Sequence, residues 1–221
     1  MVTAVRSDST RRMPRAQRRE QILEAATRAF ARGGFANTGL DAIAAEAGVT
    51  PVILYRHFAS KADLYREVIE SGHTRLREAT GGDDLDDATI PAFIRAAAAD
   101  PDAFRLLYRY AAREPEFRDM IDTLIDNATE ITRRHLAGIA DDRWRSWAAR
   151  LLPSVTIDAV IAWLDAGQPD PDQAAARIRR GEGLPIDYRD GVEDTALMAG
   201  LASFGQIGCL LTSALAARRR F

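Results

Sequence analysis

Apolar residues recur every three or four positions along most of the chain, and this spacing predicts an all-α protein. From Arg15 to Arg32, Ile22, Ala25, Ala26, Ala29 and Phe30 line one helix face, and Gly33-Gly34 closes that helix. Leu40, Ile43, Ala44 and Ala47 repeat behind Thr38 and Asp41, whose spacing allows reciprocal capping of a second helix start. Gly48 provides the left-handed backbone that ends it. Another helix starts at once, with Thr50 as N-cap, Pro51 at the first helical position, and Val49 and Leu54 as a hydrophobic staple. It runs to about Phe58, because Ser60-Lys61-Ala62-Asp63 is a further start signal. Two short helices around a glycine turn make a helix-turn-helix, with Phe35 plugging the corner against the first helix. A three-helix core of that size is marginal alone. The next helix, Lys61 to about Thr80, carries Leu64, Tyr65, Val68, Ile69 and Leu76 and fastens the small domain to a larger body.

The body reads as helices punctuated by glycine and proline. Gly81-Gly82-Asp83-Asp84 is a solvated turn; its acids through Asp87 lack the spacing of a calcium loop. Thr89 to Ala99 is an alanine-rich helix, and Asp100-Pro101 starts one carrying Phe104, Leu107, Tyr108 and Ala111. After Glu114-Pro115, Phe117, Ile121, Leu124, Ala128, Ile131 and His135 repeat at three and four. Asp141 or Asp142 caps a helix through Ala166 with Trp144, Trp147, Leu151, Val155 and Trp163, in which Pro153 predicts a kink. A short helix, Gln173 to Arg180, sits in a loop-like segment. Thr195 to Ala217 contains no charged residue and by length meets the threshold for a membrane span. Its Ser203, Gln206, Thr212, Ser213, Gly200, Gly205 and Gly208 favour instead a helix buried in a core or dimer interface.

Charge separates the two ends. The whole chain is at −2, but residues 1 to 61 hold ten arginines and lysines against five acids, a balance of 10 − 5 = +5 that leaves −7 for the rest. A basic head on an acidic body points to a polyanion at the head. Thr50, Tyr55, Arg56, His57 and Lys61 put hydroxyls and cations on or beside the exposed face of the second short helix, opposite Leu54 and Phe58. That helix is roughly 10–12 Å long, the width of a B-DNA major groove. Residues 1–14 read as a basic disordered arm, which is either a solvated tail or a segment that, with Arg11, Arg12 and the following Arg15, reaches phosphate or an adjacent minor groove. The single cysteine, Cys209, allows no internal disulfide and fits a reducing compartment, and no apolar leader follows the N-terminal arginines. No phosphate loop, zinc pattern or nucleophile elbow is present, and His57, His73 and His135 lie on separate helices. His135 reads as a satisfied core histidine.

The run IAAEAGVTPVILYRHFASKADL resembles the DNA-binding motif of the TetR-type bacterial transcriptional repressors. The shared pattern is a capping threonine, isoleucine-alanine, alanine-glycine-valine, a short helix ending tyrosine-x-x-phenylalanine, and serine-lysine-x-x-leucine. Where glycine or alanine and then threonine or serine are usual, this chain has Val52 and Ile53, so a hydroxyl commonly placed on phosphate is missing. The resemblance implies a helix-turn-helix domain over 15–60 and a helical ligand-binding and dimerisation domain over 61–221. It implies a cytoplasmic homodimer that binds a palindromic DNA operator and is released by a small-molecule effector, without a cofactor, metal or membrane. The implied DNA-binding residues are Thr38, Thr50, Pro51, Val52, Ile53, Tyr55, Arg56, His57 and Lys61. Since Pro51, Val52 and Ile53 carry no side-chain donor, thymine methyls, Thr50 or Arg56 must do more of the reading. An effector pocket implied by the same resemblance falls to Phe93, Phe104, Tyr108, Phe117, Trp144 and Trp147. The dimer interface falls to Val155, Trp163, Leu201, Phe204, Gly208 and Leu211. Two alternatives stand beside this regulator: an enzyme in the helical body, which no catalytic constellation supports, and a membrane-anchored regulator using Thr195 to Ala217.

Overall fold

The computed structural model describes residues 13–180, and every described element is helical. The N-terminal residues with Arg11 and Arg12, and the distal stretch with Leu201, Phe204, Gly208, Cys209 and Leu211, lie outside the described residues. The chain divides into two compact units between Val68 and Ile69, later than the start of the helix in which the division falls.

In the first unit, α1 spans Arg15–Asn37, α2 Leu40–Glu46, α3 Pro51–Tyr55 and α4 Lys61–Ala79, the last continuing beyond the unit. The predicted apolar face of α1 is buried throughout: Ile22, Ala25, Ala26, Ala29 and Phe30 meet Ile43, Ala44, Leu54, Phe58, Leu64 and Tyr65 in one core. Tyr65 packs edge-on against Phe30 with ring centroids 4.8 Å apart, and Phe35 closes the corner 4.9 Å from the Tyr65 ring. Gly48 takes the expected left-handed backbone, φ 64°, after α2. Ser60 starts α4 as read from sequence, accepting from Asp63 N–H at 3.0 Å while donating to the Asp63 carboxylate at 2.9 Å.

One expectation for this unit holds and another needs correction. The first run of α1 closes at Gly33-Gly34 as read, with Gly34 at φ 72° and ψ 170°, and a short further helical stretch follows the break and ends at Asn37. The reciprocal Thr38–Asp41 cap does not form, because Gly39 holds the N-cap position without a side-chain bond. The Thr38 hydroxyl turns back instead, donating to Gly34 O at 2.7 Å with Ala29 O at 3.3 Å. Carbonyls orphaned at a helix break are costly to leave bare near a core, and Thr38, 7% exposed, is the nearest donor.

The second unit holds the rest of α4, then α5 (Thr89–Ala99), α6 (Pro101–Arg105), a π-helical turn (Leu106–Tyr110), two 3₁₀ turns (Ala111–Arg113 and Pro115–Phe117), α7 (Arg118–His135), α8 (Asp142–Asp165) and α9 (Pro171–Arg180). α7 packs along α8, and α5 packs on α9, α8 and α6. The single helix expected after Pro101 is therefore segmented: Ala111 N–H reaches Leu106 O five residues back, widening the turn in which Leu106 and Leu107 are buried. α8 starts on Asp141, whose carboxylate accepts from Arg143 and Trp144 N–H, and it remains helical through Pro153. The acid turn is tied down by ion pairs, Arg77 with Asp83 at 2.7 Å and Arg179 with Asp87 at 3.2 Å. His135 is the structural residue expected: its Nε2 accepts from Leu85 N–H at 3.1 Å, so its Nδ1–H donates to Ile131 O at 2.8 Å.

Candidate nucleic-acid interface and effector cleft

The interface begins with how α3 is held. Leu54 is fully buried and Phe58 nearly so, which turns the opposite side of the helix to solvent. Thr50 caps the start, its oxygen accepting from Ile53 N–H at 3.4 Å, and Pro51 occupies the position where no N–H is needed. The end tightens: His57 N–H bonds Leu54 O at 2.9 Å, three residues back, so α3 is shorter than its expected run to Phe58, which is reached by this closing turn. The result exposes Pro51, Val52 (62%), Tyr55 (55%) and Arg56, with Ile53 half-buried between them. Arg56 forms no ion pair with any described residue, so its five donors remain available.

The frame that holds α3 in place is polar as well as apolar. Gln21 of α1 donates to Ala47 O at 2.8 Å, and Arg28 and Arg32 converge on Glu46 at the end of α2. The Arg32 hydrogen bond, followed by that of Arg28, holds the Glu46 carboxyl below its ordinary range against the opposing effect of burial. Arg19 pairs with Glu67 and stands 5.0 Å over the Phe58 ring. These positioning residues were missed in the sequence, although the i,i+4 arginines 28 and 32 were its visible signal.

His57 is half-buried at the end of this face, and its Nδ1 is enclosed without a hydrogen-bond partner. Burial lowers its pKa from the ordinary histidine value, and the charges of Arg15, Arg19 and Arg18 lower it further. The charges of Arg15, Arg18 and Arg19 at the α1 start thus bear on His57 at the α3 end, and of these Arg19 is paired with Glu67. Lys61, expected at phosphate, is partly engaged within its own unit. Its ammonium donates to Phe35 O at 2.8 Å and Ala36 O at 3.3 Å, and lies 4.5 Å from the centroid of the Phe35 ring. One N–H of three remains for a phosphate. Thr38, buried and committed to α1 carbonyls, presents no donor to an external phosphate.

In the second unit, a cleft of about 190 Å³ is lined by Gly72, Leu76 and Ala79 of α4, Ala96 and Ala99 of α5, and Ala103, Phe104 and Leu107 beyond it. Arg75 and Asp100, paired at 3.4 Å, supply its polar edge. Of the six aromatics assigned to a pocket, Phe104 alone lines this cleft. Phe93 and Tyr108 stack behind it, their centroids 5.2 and 4.9 Å from that of Phe104, and burial raises the pKa of the Tyr108 phenol. Phe117 is buried. Trp144 and Trp147 stand on the surface of α8, 62% and 42% exposed and edge-to-face at 5.6 Å, away from this cleft's lining. Trp163 of the proposed dimer interface is buried in its own chain, donating to Pro169 O at 2.7 Å, and Val155 is half-buried. Half of the lining is alanine and glycine, small residues that carry little functional signal in a sequence.

Residues 22–68 match the profile described as bacterial regulatory proteins, tetR family. The chain is 30% identical over 176 residues to the HTH-type transcriptional activator FasR of Mycolicibacterium smegmatis, covering 74% of this chain and 80% of that protein. It is 49% identical over 55 residues to the HTH-type transcriptional regulator TtgR of Pseudomonas putida, 25% of this chain and 26% of the other. A crystal structure of a TetR-like transcriptional regulator from Rhodococcus sp. RHA1 superposes with a TM-score of 0.65 at 26% identity, covering 76% of this chain and 94% of that one.

Proposed function

This chain belongs to the tetR family of bacterial regulatory proteins, and we propose that it is a ligand-responsive transcriptional regulator whose α3 enters the major groove of a palindromic operator. The observation that carries this reading is the outward face of Val52, Tyr55 and Arg56, held by buried Leu54 and Phe58. Tyr55, Thr50, His57 and the remaining N–H of Lys61 contact phosphate, and Pro51, Val52, Ile53 and Arg56 lie nearest the base edges. The protein acts as a cytoplasmic homodimer, because one two-turn helix covers too few base pairs for specific binding and a two-fold operator needs two heads. Regulation, not turnover, is its activity.

The Gly72–Leu107 cleft is the effector site in this reading. It is smaller than the roughly 300–1,000 Å³ of ordinary ligand pockets, so a drug-sized effector would fill it only in a body conformation that opens it further. Differential affinity for the two conformations is what shifts DNA binding. Because α4 contributes residues both to the head and to the cleft, it is the element through which the shift is transmitted. Repression follows where the operator overlaps a promoter. A site upstream of one gives activation, the direction carried in the name of FasR.

The test is selection from a random duplex library by the purified full-length protein. An enriched inverted repeat with half-sites one helical turn apart, roughly 34–36 Å, or a multiple of that, is the expected result. Failure to enrich any duplex would overturn the reading.

A further inference from the structure

We propose that Val52 makes a thymine 5-methyl group a fixed requirement of each operator half-site, an inference that rests on the DNA-binding reading above. The outward face of α3 is short of donors. Thr50 accepts the cap bond from Ile53 N–H and in that reading gives its O–H to phosphate, Pro51 has no donor, Ile53 is half-buried and Leu54 is wholly buried. Val52 is left as the most exposed large apolar side chain among the described residues of the first unit, and Tyr55 stands three residues along on the same face. In a soluble domain such a side chain needs no partner of its own, but this one stands at the start of a helix whose neighbours fit it to a major groove.

Of the groups that line a major groove, the C5-methyl of thymine is the apolar one; the others are donors and acceptors that an isopropyl group cannot pair. Guanine O6 and N7 or adenine N6 beneath Val52 would lose their water without gaining a hydrogen bond, so the side chain also selects against those bases. Arg56 lies a full turn further along the chain and reads a different position. Val52 is therefore a specificity-determining residue that acts by packing. The recognised chemistry is a methyl group at pyrimidine C5, which 5-methylcytosine also presents.

The experiment uses the full chain and the duplex it selects, with each thymine replaced in turn by deoxyuridine, which removes only the methyl. One thymine per half-site is expected to respond, weakening binding about fourfold when one half-site is changed and about 15-fold when both are. Val52→Ala, at an exposed position that leaves the core intact, should bind the unmodified site more weakly and lose the response to deoxyuridine there. Val52→Ala that still distinguishes thymine from deoxyuridine at that position, deoxyuridine without effect at every position, or a half-site with no thymine on either strand overturns the inference while leaving DNA binding standing. A protein that enriches no duplex overturns both.

Discussion

Gly33→Ala places a methyl group where the geometry of the first unit forbids one. Gly33 is exposed and has an ordinary backbone, so elsewhere the change would be neutral or stabilising by about 0.4–1 kcal/mol through the unfolded chain. Here the new Cβ would stand 2.8 Å from Thr38 Oγ1. Thr38 is buried, β-branched, and bonded to Gly34 O and Ala29 O, so it yields only by giving up those bonds. Losing a buried hydrogen bond and baring its acceptor costs about 1–3 kcal/mol, which outweighs the entropy gain and leaves a net loss of about 1–2 kcal/mol. At about 2–4 °C per kcal/mol for a chain of this length, thermal unfolding followed by helical circular dichroism should fall by roughly 3–6 °C. The double variant tests the cause. With Thr38→Ala already present there is nothing to strike, and Gly33→Ala should become neutral or slightly stabilising. Gly34→Ala meets no atom within 4 Å but sits at φ 72°, so its destabilisation should persist whatever residue 38 is. Equal penalties for Gly33→Ala with and without the Thr38 hydroxyl would refute the clash.

Lys61→Ala should lower the stability of the first unit by about 1 kcal/mol, since it removes the ammonium from the Phe35 and Ala36 carbonyls. It should also reduce the salt dependence of DNA binding by about one phosphate contact; lowered stability with an unchanged salt slope would assign Lys61 to holding α1 alone. DNA binding should strengthen as pH falls. In free protein the His57 pKa is below the ordinary 6.5, a phosphate raises it, and so binding takes up a proton over the window between the two values, an effect absent in His57→Gln. The same depression means that the free protein loses stability as pH drops through 6.5 toward the lowered value, because the unfolded histidine binds the proton first. Acrylamide should quench emission strongly in Trp163→Phe and weakly in a variant lacking Trp144 and Trp147; the reverse order would contradict their exposure.

Much of the small domain was legible because its signals agree with one another. The α1 stripe, Gly48, Thr50-Pro51 and Ser60 with Asp63 each specify a local geometry, and those geometries are compatible. The inward hydrogen bonds of Thr38 and Lys61 were not legible for a shared reason. Both look like surface donors in sequence, but the break at Gly34 leaves α1 carbonyls that need partners, and the chain brings these two residues to them. The exposure of two tryptophans was not legible for another reason. Trp144 and Trp147 follow helical spacing, yet spacing says only that they share a face of α8, not which face is covered. The cleft was hidden because half of its walls are alanine and glycine, which leave room without marking it in the sequence.

Dimethyl sulfate footprinting of the selected duplex tests the central claim most directly, since it methylates guanine N7 in the major groove and adenine N3 in the minor groove. The account predicts that bound protein shields guanine N7 in two segments related by a two-fold axis, and that Arg56→Ala weakens the shielding in both. Protection confined to adenine N3, or N7 protection unaltered by changes at Val52, Tyr55 and Arg56, would show that another surface meets the DNA.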